Sequence, residues 1–242
     1  MTATTAGQLA ARAAASDPSV RRLLTVLLRR YRIPVTETVT ADSAESAVEA
    51  AWWLGFPVTL VAEGTPFTDE SGITRWGLAT PAQVRAAYRQ LAACVGPAMT
   101  GVRIRRQPQQ GAEVIIGVTR DESGGAHVSL TLGGPAAALA GASVARQTPI
   151  TSRDAHDMLR ELRGEPRAAT AARRAEPAAL DLAALAGILE RVGKFAAQVP
   201  DVTELELNPV IVTGCGAAVA GVRGRFRRRG ELEKRATLRS VR

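Results

Sequence analysis

A chain of 242 residues with 46% hydrophobic and 22% charged residues has enough apolar material for a full core, which argues against a disordered protein. Two cysteines without a CxxC pair exclude a disulfide framework and fit reduced thiols in a cytoplasmic setting. No apolar run approaches the roughly 20 residues of a membrane-spanning helix, so no membrane association is expected, and the net charge of +8 asks where its excess sits.

Residues 1–17 are rich in Ala and Thr and lack a basic segment followed by an apolar block, so they read as a mobile leader. A helix is expected from Pro18 to Tyr31, with Val20, Leu23, Leu24, Leu27, Leu28 and Tyr31 as its apolar stripe. Ile33-Pro34-Val35 ends it and opens an extended segment. Asp42 and Glu45 are placed as a capping box for a helix whose inner face is Ala44, Ala47, Val48, Ala51 and Leu54. Of the Trp52-Trp53 pair in that helix, at least one ring is expected to pack. Gly55-Phe56-Pro57 is a turn into the strand Val58 to Ala62.

Thr80-Pro81-Ala82-Gln83 starts the next helix, with Pro at its first position and Gln placed for reciprocal capping. Three strands follow at Val102 to Arg106, Glu113 to Thr119 and His127 to Leu132, the last two joined by a turn at Asp121 to Gly125. Gly133-Gly134 breaks the pattern. Helices are expected at Asp154 to Leu162 and Leu182 to Ala196, separated by a polar, Ala/Arg-rich stretch. Val202 to Val212 and Ala217 to Val222 read as paired strands. The fold class is α+β, with a smaller lobe at 18–95, a larger lobe at 96–226 and a basic tail at 227–242; assignment of the first helix to the larger lobe is the open alternative.

Along Thr203-Glu204-Leu205-Glu206-Leu207-Asn208-Pro209, strand alternation sends Glu206 and Asn208 to one face and Leu205 and Leu207 to the other. A carboxylate and an amide two residues apart offer hard oxygen ligands to a magnesium ion, above all one already held by polyphosphate. The plain alternative is a strand with solvated polar residues. His127 in a strand and His156 in a helix would need to meet in space and find further ligands to hold a metal, so they read as having unrelated local roles, and Cys94 and Cys215 read as buried thiols. Nine Arg or Lys against Glu231 and Glu233 give residues 223–242 a local charge of +7, leaving +1 for the rest. That tail suits nucleic acid, an acidic protein partner or a solubilising end.

The order of these segments resembles the ATP-grasp subunit or domain of the NDP-forming acyl-CoA synthetases, relatives of succinyl-CoA synthetase. The likeness is carried by LRRYRIPV at 28–35, GFPVTLVA at 55–62, Leu78 to Leu91, AEVIIGVTRD at 112–121, Leu132 to Gly134, MLRELRG at 158–164 and TELELNPV at 203–210. It implies an ATP-grasp-like fold of two α+β lobes around ATP and Mg2+, working with a separate CoA-binding subunit, so that CoA enters only through a partner. Self-association is left open.

Residue by residue, the resemblance implies a depleted site. The family's phosphate-binding lysine falls at Val61, and its basic pair falls in the stretch 66–73. Acidic and lysine positions after the glycines fall at Ala138, Gly141 and Ala142, and a later metal-binding aspartate at Gly221 or Ala220. Glu113, Gly133, Gly134 and Arg146 match nucleotide-binding positions, and Glu206 and Asn208 match the metal pair. Phosphoryl transfer needs cations opposite the phosphate oxygens, so the expectation is a noncatalytic or strongly degenerate nucleotide-binding module, a pseudoenzyme. The alternatives are an active carboxylate-CoA ligase subunit, in which Arg75, Arg103 or Arg105 restores the charge, and a nucleic-acid-associated factor.

Overall fold

The computed structural model describes residues 18–64, 72–107, 111–121, 123–133, 143–164 and 180–227. The leader, Gly134, Ala138, Gly141, Ala142 and the tail beyond Arg227 therefore lie outside the described residues. In chain order the elements are α1 (Pro18–Arg30), β1 (Thr38–Ala41), α2 (Ala44–Leu54), β2 (Val58–Glu63), β3 (Thr74–Leu78), α3 (Pro81–Val95), β4 (Gly101–Arg106) and β5 (Ala112–Arg120). They continue as β6 (Ala126–Leu132), β7 (Ser143–Gln147), α4 (Ser152–Gly164), α5 (Leu182–Gln198), β8 (Val202–Thr213), β9 (Gly216–Val219) and β10 (Val222–Phe226). The α+β class is as expected; β3 and β7 are additional strands.

The chain divides into a smaller unit, Thr36–Gln109, and a larger one, Met1–Val35 with Gln110–Arg242. This departs from the expected 18–95 and 96–226 at both boundaries, for packing reasons. Leu24 and Leu28 of α1 are fully buried in the larger unit's core, and Tyr31 meets Phe195 of α5 edge to face at 5.3 Å. Strand β4 is hydrogen-bonded between β1 and β2, so it belongs with the smaller sheet.

The smaller unit's four-stranded sheet has the order β1-β4-β2-β3. Val58, Leu60 and Ala62 of β2 pair with Arg106, Ile104 and Val102 of β4, and the apolar members join Ala47, Ala51, Val84 and Leu91 of α2 and α3 in one core. The box that opens α2 is made by Ser43 and Ser46, not Asp42 and Glu45: each side chain bonds the other's backbone amide at 3.1 Å. Helix α2 starts at Ala44, which puts Ser43 at the cap position and leaves Asp42 to accept from the Ser46 hydroxyl. At α3, Thr80 caps as expected, while Gln83 reaches one residue further back, to the Ala79 amide at 2.8 Å. Trp52 and Trp53 are 66% and 65% exposed, because the buried row through Ala44, Ala47, Val48 and Ala51 leaves them on the far side, but the Trp52 ring packs edge to face on Phe56 at 5.3 Å, so one ring of the pair packs as expected.

The larger unit's six-stranded sheet has the order β10-β8-β5-β6-β7, with β9 pairing the second half of β8. One face carries Val114, Ile116, Val118, Val128, Leu130, Leu205 and Leu207 into a core shared with α1, α4 and α5. The expected strand at Ala217 to Val222 is two strands, β9 and β10, both laid antiparallel on β8. Within α1 the stripe is narrower than expected, since Leu23 is 49% exposed while Leu24 is fully buried. The helix closes with Arg32 at φ 58°, and the Ile33 amide donates back to the Leu28 carbonyl at 3.1 Å.

The stripe assignment is open to measurement. Leu24→Ala should destabilise the chain by about 2–5 kcal/mol in urea unfolding, against less than about 1 kcal/mol for Leu23→Ala. Equal effects would refute the observed face of α1.

Candidate functional site

Strand β8 presents the site. Its alternation buries Leu205 and Leu207 and leaves Glu204, Glu206 and Asn208 exposed on the opposite face. The Asn208 side-chain amide donates to Glu206 Oε1 at 2.9 Å, so the two expected ligands do meet. Gly117 of β5 and Arg223 of β10 lie opposite Glu206 in the neighbouring strands; Thr119 and Arg225 lie opposite Glu204. Arg225 forms an ion pair with Glu204 at 3.4 Å. The face turned from the core thus carries alternating carboxylates and guanidinia, a feature visible only once β10 is registered on β8.

Glu113 is on this same face, since Val114 beside it points into the core. It lies four residues from Gly117 on β5, a separation of about 13 Å at the rise of a strand. One cation cannot bridge Glu113 and Glu206, but two ends of an extended ligand could use them. The Gly133 amide donates to the Glu113 carbonyl at 2.7 Å, and a Cβ at Gly133 would come within 2.9 Å of that backbone. Gly133 is therefore held by Glu113 and its N–H is already engaged, so its part in a site is close backbone approach rather than donation. Among the described residues no three His, Cys, Asp or Glu side chains gather as a metal cluster.

Arg146 falls on the other side of the sheet. It is registered against Val128, a core residue, and its guanidinium pairs with Glu161 of α4. A strand position alone cannot tell the faces apart without the partner's register. At Gly221, an added Cβ would lie 2.0 Å from the Asn208 carbonyl oxygen, so no side chain could carry a metal-binding carboxylate there without moving the strand. His156 takes a local bond to the Ser152 carbonyl at 2.7 Å, and His127 lies on β6 opposite Thr119 and Gln147. Cys94 and Cys215 are free and exposed, not buried as expected; Cys215 sits in the turn between β8 and β9 and Cys94 on the outer side of α3.

The GVTRD segment has a structural job. Arg120 donates through Nε to the Val202 carbonyl at 2.8 Å and through Nη2 to those of Ala196 and Val199 at 2.5 and 3.0 Å. A cation against the last carbonyls of α5 also opposes the negative end of the helix dipole. Burial draws the Arg120 pKa down, with nearby Arg227 adding to the shift. Asp121 accepts from the Ser123 hydroxyl at 2.6 Å and the Gly125 amide at 2.8 Å, which hold its carboxyl below the ordinary 3.8.

In the smaller unit Val61, the position at which the resemblance expects a lysine, is 2% exposed and registered between Arg103 of β4 and Thr74 of β3. Arg75 bonds the Gln90 side chain of α3 at 3.4 Å and the Gly72 and Thr74 carbonyls. Arg103 and Arg105, by contrast, lie on the sheet face opposite the helices.

Two α+β units, each with a sheet clothed by helices on one face and polar on the other, define the class. An ATP-grasp domain matches residues 19–225, and the chain belongs to that family. It is 32% identical over 191 residues to the beta subunit of an ADP-forming acetate–CoA ligase I from Pyrococcus furiosus, covering 76% of this chain and 81% of that one. It is 30% identical over 199 residues to an ADP-forming acetate–CoA ligase II from Archaeoglobus fulgidus, covering 81% of this chain but only 28% of that longer protein. Among solved structures it is similar to a dinucleotide-forming acetyl-coenzyme A synthetase 1 from Ca. Korarchaeum cryptofilum, in complex with coenzyme A, Ca-AMPCP and HgCl+. That match has a TM-score of 0.72 and 29% identity, covering 84% of this chain and 90% of that one. The chain is thus an ATP-grasp domain related to subunits of ADP-forming acyl-CoA synthetases.

Two outcomes test the assignments around GVTRD. Arg120→Met should cost about 2–3 kcal/mol of stability, because three carbonyls lose a charged donor. For Asp121, a depressed folded pKa contributes stability above the ordinary value of 3.8, and that contribution is lost as pH falls through the lower folded value. Asp121→Asn should therefore reduce stability at neutral pH and flatten the decline below about pH 4 in pH-dependent urea unfolding. An unchanged acid slope would remove the proposed turn linkage.

Proposed function

We propose that this chain is a nucleotide-binding ATP-grasp module whose power to transfer a phosphate is strongly reduced. The observation that carries the reading is the hydrogen-bonded Glu206–Asn208 pair on the polar face of β8, with Arg223 directly across from Glu206. This donor set fits a magnesium ion that keeps most of its ligands from water and phosphate, the usual habit of that ion. When bound, Mg2+ would neutralise phosphate charge. Glu206 would hold it with Asn208 alongside, and Glu113 would mark the far end of the same face. Val61 supplies no charge, and Gly221 has no room for a carboxylate, so transfer would lack two contributions that the family resemblance leads one to expect.

A second reading, an active ADP-forming acyl-CoA synthetase subunit, is favoured by coverage of 81% of the Pyrococcus furiosus beta subunit. In that case a separate chain would bring CoA, and a cytoplasmic setting would go with both readings. Nucleic-acid binding gains no support from these relatives, and most of the basic tail lies outside the described residues. Among the described residues no helix is long and apolar enough to cross a membrane.

Calorimetric titration with ATP and ADP, with and without magnesium, decides the first point. Saturable binding that magnesium strengthens is expected, and Glu206→Gln should remove roughly tenfold of that gain, about 1.4 kcal/mol. Absence of any nucleotide binding would sink the proposal. ADP formation from ATP, acetate and CoA after adding the alpha subunit of an ADP-forming acetate–CoA ligase would favour the second reading over the first.

A further inference from the structure

Six large apolar side chains stand exposed among the described residues, and four of them share two helix faces: Leu23 and Val26 on α1, Trp52 and Trp53 on α2. Helix α2 turns Ala44, Ala47, Val48 and Ala51 inward, so at about 3.6 residues per turn Glu45, Glu49, Trp52 and Trp53 form its outer face. Two indoles exposed to this extent offer roughly 300 Å² of apolar surface, the size at which a patch on a folded chain marks an interaction site. The rim of that patch is acidic. Helix α2 carries no Lys or Arg, and Glu45 and Glu49 form no ion pair among the described residues. Arg85 and Arg89 of α3 are exposed, and neither pairs with those carboxylates.

Helix α1 presents the opposite sign. Leu24 and Leu28 face the core, which turns Arg22, Val26, Arg29 and Arg30 outward with Leu23 at their side. This helix contains no Asp or Glu. Arg29 donates to the Val35 carbonyl at 3.4 Å, while Arg22 and Arg30 form no ion pair among the described residues. An aliphatic pair set among guanidinia therefore stands on the larger unit, and an aromatic pair set among carboxylates on the smaller one. Like faces do not suit each other: α2 against α2 opposes carboxylates to carboxylates, and α1 against α1 opposes guanidinia to guanidinia.

We infer that the acidic, aromatic face of α2 in one copy docks head to tail on the basic face of α1 in a second copy of this chain. Trp52 and Trp53 supply the apolar contact and stack on guanidinia, and the opposite charges choose the partner face. The helices have 13 and 11 residues, about 20 and 16 Å in length, so the contact falls below about 1,200 Å² and is transient. Each copy carries one face of each kind, so the interface is heterologous and growth continues past two copies. Both helices cover the apolar side of their own sheets, so the contact does not use the polar face of β8 and stands apart from the nucleotide reading.

Sedimentation velocity on the full chain, from about 1 to 300 μM, tests this. At about 0.05 M salt the weight-average mass should climb above the monomer's 25.4 kDa as concentration rises, and about 0.5 M salt should reverse much of the gain. The double variants Trp52→Ser with Trp53→Ser, and Arg22→Glu with Arg30→Glu, should each weaken association about tenfold or more. All four side chains are exposed, so thermal unfolding should match the unmodified chain. Mixing the two double variants is the decisive step. The first keeps an intact α1 face and the second an intact α2 face, so together they should form a one-to-one pair that grows no further. The inference fails if the unmodified chain stays at the monomer mass throughout, or if either double variant associates as the unmodified chain does. It fails equally if the mixture yields no one-to-one pair, which would assign the tryptophan face to a different occupant.

Discussion

The alternation of β8 is the constraint on which the larger unit's site depends. Leu205 and Leu207 are buried on one side, and Glu204, Glu206 and Asn208 stand on the other. A slip of one residue against β5 would expose both leucines, each contributing about 1.5–3 kcal/mol by burial, and drive two carboxylates into the core. Hydrophobic packing thus sets the direction of every polar group in the segment. Because β8 pairs with β5, β9 and β10 at once, that direction is shared by three neighbours.

The two sheets solve the same problem in the same way. Each is sealed on one face by helices through an apolar core and carries its charged residues on the other. On the larger sheet, arginines of β10 stand opposite carboxylates of β8. On the smaller, Arg103 and Arg105 stand opposite uncharged Val61 and Thr59. On that face Arg103 also pairs with Glu63, so both sheets carry ion-paired polar rows.

Membership of the ATP-grasp family accounts for the fold but not for the loss of particular residues. A catalytic position judged by alignment alone counts Val61 as a missing cation. Judged by register, the same position has a guanidinium directly across from it. Position 221 behaves in the opposite way, since the close approach of the Asn208 carbonyl leaves no volume for a side chain. The two positions thus differ in their surroundings, an ion-paired guanidinium in one case and a closed backbone contact in the other, which alignment by itself does not show.

Local pattern was enough to determine most helices and strands, the α+β class, the turn at Asp121 to Gly125 and the common face of Glu206 and Asn208. These follow from periodicities of two and 3.6 residues and from capping chemistry, which act within a few positions along the chain. The tertiary structure alone decided that α1 belongs to the larger unit, that Arg146 lies on the core side against Glu161, and that Arg223 faces Glu206. It also showed the two tryptophans and two cysteines to be exposed. Each of these depends on which distant segment pairs or packs with which, and residues far apart in sequence carry no periodic signal of that choice.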